Sequence, residues 1–261
     1  MNLSLLAIDV PPISHVTVWG SGPLGLNKVA VIYGFATIMT ILLFALGTGK
    51  KKPLVPTGFF QNTAESGVAF VRNQVIMQTM GTDGLGYLPF LTTMFFFIFF
   101  SNITEIIPAV QFPANARFGV PLALALLTWV IFNVVGIKRQ GPAHYFVNSV
   151  FPPLGDMPIA GKIAMYILLA PIEFLSTFII RPFSLMVRLF ANMLAGHLIL
   201  VTFAALTAGL WAAKVTVIIA PLSFGLLVAM TGFEVLVSFL QAFIFTILTA
   251  VYIDISMHPA H

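Results

Sequence analysis

The chain is 261 residues long, 59% hydrophobic and only 8% charged, with no cysteine and a formal net charge of +4. A soluble globular domain is about 25% charged, so 12 Lys and Arg with 8 Asp and Glu cannot cover a water-soluble protein of this size, and the chain must face lipid. The lack of cysteine excludes a disulfide scaffold and thiolate metal sites, and cations in a membrane protein gather in cytoplasmic loops, where they orient the chain, so the basic balance implies no nucleic-acid partner.

Residues 1–27 read as an outer N-terminal segment. Met1 to Gly20 has neither a cationic leader nor an uninterrupted apolar core, so no cleaved signal peptide is expected. A hydrocarbon layer of about 30 Å needs roughly 20 apolar residues per helical crossing. The first such run is Lys28 to Leu46, within a segment 28–49 that is stopped by Gly47, Lys50, Lys51 and Lys52 and followed by Pro53 and Pro56. Residues 57–80 mix Val68, Phe70, Val71, Val75 and Ile76 with Glu65, Arg72, Asn73 and Gln74, which predicts an amphipathic helix lying at the interface. Two further crossings fill 85–139: Leu85 to Val110, carrying Asn102 and Glu105 inside, and Val120 to Ile137, closed by Lys138 and Arg139. Residues 140–160 bear Pro and Gly and read as an inner loop.

The remainder, 161–258, reads as a hairpin. Its two apolar stretches, Lys162 to Leu210 and Lys214 to Met257, would each be about 65 to 75 Å long as continuous helix. Neither can stand upright in a bilayer, and the polar clusters that would turn them into short helices are absent, so two long, steeply inclined helices are expected. The fold class is thus all-α and polytopic. With the N-terminus outside, Lys50, Lys51, Lys52, Arg72, Lys138, Arg139 and Lys162 fall on the inner side, and Lys28, Arg117 and Lys214 on the outer side.

An ionisable group in hydrocarbon costs at least a few kcal/mol and is a functional candidate by default. Six fall in the apolar runs: Glu105, Glu173, Arg181, Arg188, His197 and Glu234. Wound at about 100° per residue, with Arg188 at zero, the first long stretch puts Glu173, Thr177, Arg181, Ser184 and Asn192 within about 60° of it, in a stripe about 28 Å long. His197 falls on the opposite face. On the second stretch Ser223, Thr231, Glu234, Ser238, Gln241 and Tyr252 share one face about 80° wide. Antiparallel packing could join His197 to Glu234. Measured from a turn at Ala212, however, one is 15 residues away and the other 22, a mismatch of seven that calls for staggered or crossing helices.

The string Arg181-Pro182-Phe183-Ser184-Leu185-Met186-Val187-Arg188-Leu189-Phe190-Ala191-Asn192-Met193-Leu194-Ala195-Gly196-His197, followed by Gln241-Ala242-Phe243-Ile244-Phe245, closely resembles subunit a of F-type ATP synthases. The resemblance implies a stator whose long helices face a rotating ring of c subunits. Two offset aqueous half-channels would lead to and from the ring carboxylates, coupling proton flow to rotation and ATP synthesis. Arg188 matches the essential arginine that separates the half-channels, and Asn192 and Gln241 match polar residues near it. His197 and Glu234 match an outer half-channel pair, here with histidine first and acid second where some members have the reverse. Asn102 and Glu105 resemble a polar patch of the outer half-channel. Glu173, one place before a position where many members carry an acid, is assigned to the inner half-channel, and Arg181 and Ser184 complete the translocation set. His197 with Glu234 is also a candidate inhibitory metal pair. Implied partners are the c ring, the peripheral-stalk b subunits, the remaining synthase subunits, lipid and protons. No cofactor is expected.

No Walker motif occurs, so nucleotide chemistry belongs to other subunits and the chain alone is no enzyme. The expected location is a bacterial plasma membrane, with the mitochondrial inner membrane as the other option, and with the C-terminus inside. A secondary ion transporter unrelated to a rotor would show paired inverted repeats, and none is found. An intramembrane metallohydrolase would need more than one histidine in the apolar stretches or an HExxH motif. The formal GxGxxG match Gly20-Ser21-Gly22-Pro23-Leu24-Gly25 has no preceding strand pattern and contains Pro23, and the acceptor pattern at Asn102-Ile103-Thr104 falls at membrane depth; neither is read as a site.

Overall fold

The computed structural model describes residues 18–19, 26–47, 58–107, 115, 117–151, 158–212 and 220–258. It is an all-helical bundle apart from a two-residue antiparallel ladder, β1 (Val18–Trp19) on β2 (Leu26–Asn27). Lys50, Lys51, Lys52 and Lys214 lie outside the described residues, as does the side chain of Lys28.

The first apolar run forms α1 (Lys28–Gly47). It is met at its end by α2 (Phe59–Phe70), because a Cβ on Gly47 would collide with Ala64 and lie 3.2 Å from the carbonyl of Phe60. The helix continues through a wide, π-helical stretch at Val71–Ile76 into the short α3 (Met77–Thr79). This amphipathic segment is docked on its neighbours: Gln61, Ala64, Val71, Val75 and Ile76 are buried, and Gly67 is covered by the Phe96 ring.

The second crossing begins as a tight helix at Gly81–Tyr87 and becomes α4 (Leu88–Ile103). It stops short of the expected Val110. A proline at 108 offers no N–H and disfavours helix at the residue before it, so the sequence itself opposes a helix running on to Val110. Asn102 therefore sits in the last helical turn and Glu105 in the turn beyond, whose N–H donates to the Asn102 carbonyl at 3.2 Å. The third crossing is α5 (Gly119–Gln140). The expected inner loop at 140–160 instead contains a helix, α6 (Pro142–Val150). Gly141, at φ +84°, breaks α5, and Pro142 supplies a preset first helical residue. Burial of Tyr145 over Gly136, where a Cβ would strike its ring, then folds α6 back on α5.

The first long stretch is helical throughout. It comprises α7 (Ile159–Leu175), a π-helical turn at Ser176–Ile180 and α8 (Arg181–Ala212). Pro182 explains the wide turn: it cannot donate to the carbonyl of Phe178 and crowds it, and one i→i+5 turn accommodates that defect without ending the rod. The second stretch is the single helix α9 (Ala220–Met257), 38 residues or about 57 Å long. Five helical segments, including Gly161–Trp211 and Ala220–Met257, are long and apolar enough to cross a membrane.

α9 is the central post, packed on α4, α5 and α8. Leu91 and Ile98 of α4, Phe132 of α5, Leu185 and Leu189 of α8 and Phe245 and Ile253 of α9 are fully buried in one core. Phe70, Phe95, Phe99 and Phe239 interlock at centroid distances of 5.5 to 6.5 Å. The outward surface is apolar: Ile167 and Leu168 on α7 and Leu222 and Leu236 on α9 are all more than half exposed.

Candidate functional site

The register of the hairpin positions the candidate residues. Thr207 and Ser223 share a hydrogen bond of 2.8 Å, and Gly196 lies against the carboxylate of Glu234. Both contacts fit one antiparallel register, because the step from Thr207 back to Gly196 equals the step from Ser223 on to Glu234. Continued by the same count, this register sets Asn192 level with Ser238 and Leu189, next to Arg188, level with Gln241. No stagger is needed. The mismatch of seven residues equals the number of residues from 213 to 219, between α8 and α9, which lie outside the described residues.

At the level of Glu234 three ionisable groups converge. His197 Nδ1 is 3.1 Å from Glu105 Oε1, with the Glu105 side chain 1% exposed and His197 26% exposed. Glu234 is buried beside them on Gly196, the residue before His197. The imidazole thus has its direct partner in Glu105, and Glu234 is the second acid of the group rather than the sole mate of His197. Among the described residues no cluster of three or more His, Asp and Glu has metal-binding geometry.

Asn102 belongs to a separate, buried amide network that anchors this end of α4. Asn115 donates through Nδ2 to Asn102 Oδ1 at 2.5 Å and to Ser101 Oγ at 3.0 Å, and accepts from the Tyr33 hydroxyl at 2.6 Å. Three segments, α1, the end of α4 and the chain before α5, are thereby tied together next to Glu105.

Arg188 is exposed, while Leu185, Met186, Leu189, Met193 and Gly196 of the same helix are buried. At about 100° per residue, that buried face is centred about 100° from Arg188 and about 80° from His197. The two therefore flank the core on opposite shoulders. Ala191, Leu194, Ala195 and Leu198 are exposed on the same outward side of α8, and among the described residues Arg188 has no carboxylate within salt-bridge distance. Asn192, half-buried, lines a groove of about 120 Å³ with Gly196, Met230, Phe233, Glu234 and Val237. Gln241 is buried on α9.

The expected single stripe on the first long helix is not preserved across Ser176–Ile180, because the π-helical turn holds an extra residue and rotates everything before it by about 100° relative to Arg188. Thr177 is buried in that turn, and Glu173 lies half-buried before it. Ser184 is half-buried on α8, and Arg181 is committed elsewhere, its guanidinium 5.5 Å from the centre of the Tyr252 ring on α9. Sequence patterns alone do not single out Asn115, Tyr33 or Gly196 as parts of the site. A signal exists for Gly196, the first glycine after Gly161 in an otherwise unbroken helical run, since an isolated helical glycine marks a close approach.

Comparison with known proteins adds a family. A family model described as "ATP synthase A chain" matches residues 30–254. The chain is 42% identical over 243 residues to ATP synthase subunit a of Frankia alni, covering 93% of this chain and 81% of the relative. It is 41% identical over 247 residues to ATP synthase subunit a of Rhodococcus erythropolis, covering 91% and 85%. ATP synthase subunit a of Hyphomonas neptunium is 35% identical over 260 residues, covering 97% and 98%.

Proposed function

This chain belongs to the ATP synthase A chain family, and from that premise we propose that it is the proton-conducting stator subunit of an F-type ATP synthase. It is an integral membrane protein with five segments able to span. The observation that carries the finer reading is the placement of its charges. One guanidinium, Arg188, lies on the outward apolar flank of α8, and an acid–histidine–acid group lies on the opposite shoulder of the same helix.

A cation exposed among apolar side chains in a bilayer is costly unless an anion meets it. The proposed anion is a carboxylate of a ring of c subunits turning past α7, α8 and α9. An arginine guanidinium keeps its protons, so Arg188 acts only by its field. A ring carboxylate facing it is favoured in its ionised form, because an opposite charge nearby lowers an acid's pKa, and it releases its proton to one aqueous half-channel. Leaving the arginine, it must be reprotonated from the other half-channel before it meets lipid. Each charge moved through 100 mV supplies about 2.3 kcal/mol, and the offset between the two routes gives that work a direction.

Glu105, His197 and Glu234, with Asn102 as anchor, are assigned to the outer half-channel, and Asn192 and Gln241 to the passage beside Arg188. Glu173 is assigned to the inner half-channel with Ser184, and Arg181 braces that end on Tyr252. Nucleotide chemistry then resides on other subunits, and peripheral-stalk b subunits hold this chain still. The excess of cations in inner loops supports an outer N-terminus and an inner C-terminus in a bacterial plasma membrane. The test is Arg188→Ala in the assembled complex. Proton-driven ATP synthesis should vanish while passive proton conductance persists or rises; coupled synthesis at the normal rate would refute the reading.

A further inference from the structure

The face of α9 turned to α8 carries Ser223, Glu234, Ser238 and Gln241, all buried. Ser238 differs from every other serine and threonine of that helix. Thr231, Thr246, Thr249 and Ser256 each donate to the carbonyl four residues earlier, at 2.8 to 2.9 Å, and Ser223 is paired with Thr207. Back-bonding of this kind is the ordinary resting state of a hydroxyl on an apolar helix. The Ser238 hydroxyl does not take it, although the carbonyl four residues earlier, that of Glu234, is on the same face. Its Oγ is buried without a partner among the described residues, and so is Nε2 of Gln241, the next polar group along the stripe. A buried polar atom left without a partner is costly, so two in succession, between an acidic cluster and the level of Arg188, call for a shared explanation.

Resting on the stator reading above, we infer that Ser238 Oγ is the intermediate station of the proton path between the Glu105–His197–Glu234 group and the level of Gln241 and Arg188. No hydrogen bond joins Ser238 Oγ to Glu234 or Gln241, and side chains three and four apart on a helix, about 5–6 Å apart at Cβ, lie within the span of one bridging water. A water held by Glu234 passes a proton to Ser238 Oγ while the Oγ–H proton passes to a second water on the Gln241 side. One O–H bond forms and one breaks at Oγ, so the hydroxyl is regenerated, and its rotation resets it. Gln241 takes no proton; its Nε2–H donates to the second water and orients it.

The experiment uses membrane vesicles containing the assembled membrane sector with the catalytic sector stripped off, and follows proton uptake driven by an imposed potassium diffusion potential. Serine to alanine removes one oxygen and leaves helix packing intact, so Ser238→Ala should assemble normally and conduct about tenfold more slowly, the rate equivalent of one lost hydrogen bond. Ser238→Thr, which keeps the hydroxyl, should recover most of the lost rate. The ratio of rates in H2O and D2O should rise in Ser238→Ala, a change that a purely structural defect would not produce. Wild-type conduction in Ser238→Ala, or equal slowing in the alanine and threonine variants, overturns the assignment of Ser238 alone. If wild-type vesicles themselves fail to conduct, the stator reading fails with it.

Discussion

Gly196 shows how one residue can hold a site open. A glycine inside a helix is ordinarily about 1 kcal/mol worse than alanine, so local propensity favours replacing it. Here the added Cβ would land on the carboxylate of Glu234, the far end of a flexible side chain, so the helix can gain stability only by pushing that carboxylate out of its place. The change falls on the position of the acid rather than on the fold. Gly196→Ala should therefore depress ATP-driven proton pumping in vesicles by about tenfold or more, and Gly196→Ala combined with the shorter acid of Glu234→Asp should recover part of that loss. Pumping at the wild-type rate in the single variant would mean that Glu234 needs no such room. At this scale the identities of the charged residues are legible in the amino-acid sequence, because hydrocarbon makes each of them conspicuous. Their partners are not: the pairing of His197 with Glu105 joins positions far apart along the chain, and no periodicity within α8 encodes it.

Among the elements, the long apolar runs carry their own outlines. α1 and α5 begin and end within a few residues of the hydrophobic stretches that announce them, and α9 ends with its stretch at Met257. What hydropathy misses are events at proline and glycine. Pro182 widens the helix ahead of it and so breaks an angular count that assumes a constant turn; α4 ends early, ahead of a proline at 108; Gly141 and Pro142 start a helix where a loop is expected. Asn115 matters beside the early end of α4, because its side chain bonds to Tyr33 of α1 and to Ser101 and Asn102 of α4. Replacing it by the similarly sized Leu leaves Tyr33, Ser101 and Asn102 without their buried partner. Asn115→Leu should cost about 3 kcal/mol, seen as a lower temperature of heat-induced aggregation of the solubilised complex. Tyr33→Phe added to Asn115→Leu should cost much less than the two separate effects combined, since they share one hydrogen bond; strict additivity would argue against a network.

Across the whole molecule, the distribution of burial separates an inward bundle from an outward apolar wall. α8 is where the two meet, with Leu185, Met186 and Leu189 turned into α5 and α9 and with Arg188 and Ala191 turned out. Small residues at 191 and 195 beside the arginine let another helix approach closely, the usual basis of helix contact in lipid. If that helix belongs to the ring, its contacts must follow the helical period of α8. Single cysteines introduced from Ser184 to Asn192 in the assembled complex, tested for oxidative cross-links to cysteines on the ring's outer helix, should react at 184, 187, 188 and 191. They should fail at 185, 186 and 189, which the bundle covers. The arginine-to-cysteine change removes activity, but cross-linking reads proximity and does not depend on turnover. Reaction confined to 185, 186 and 189, or no reaction along the whole segment, would place the rotor elsewhere and leave Arg188 facing lipid without a partner, an arrangement the cost of a bare charge in hydrocarbon makes untenable.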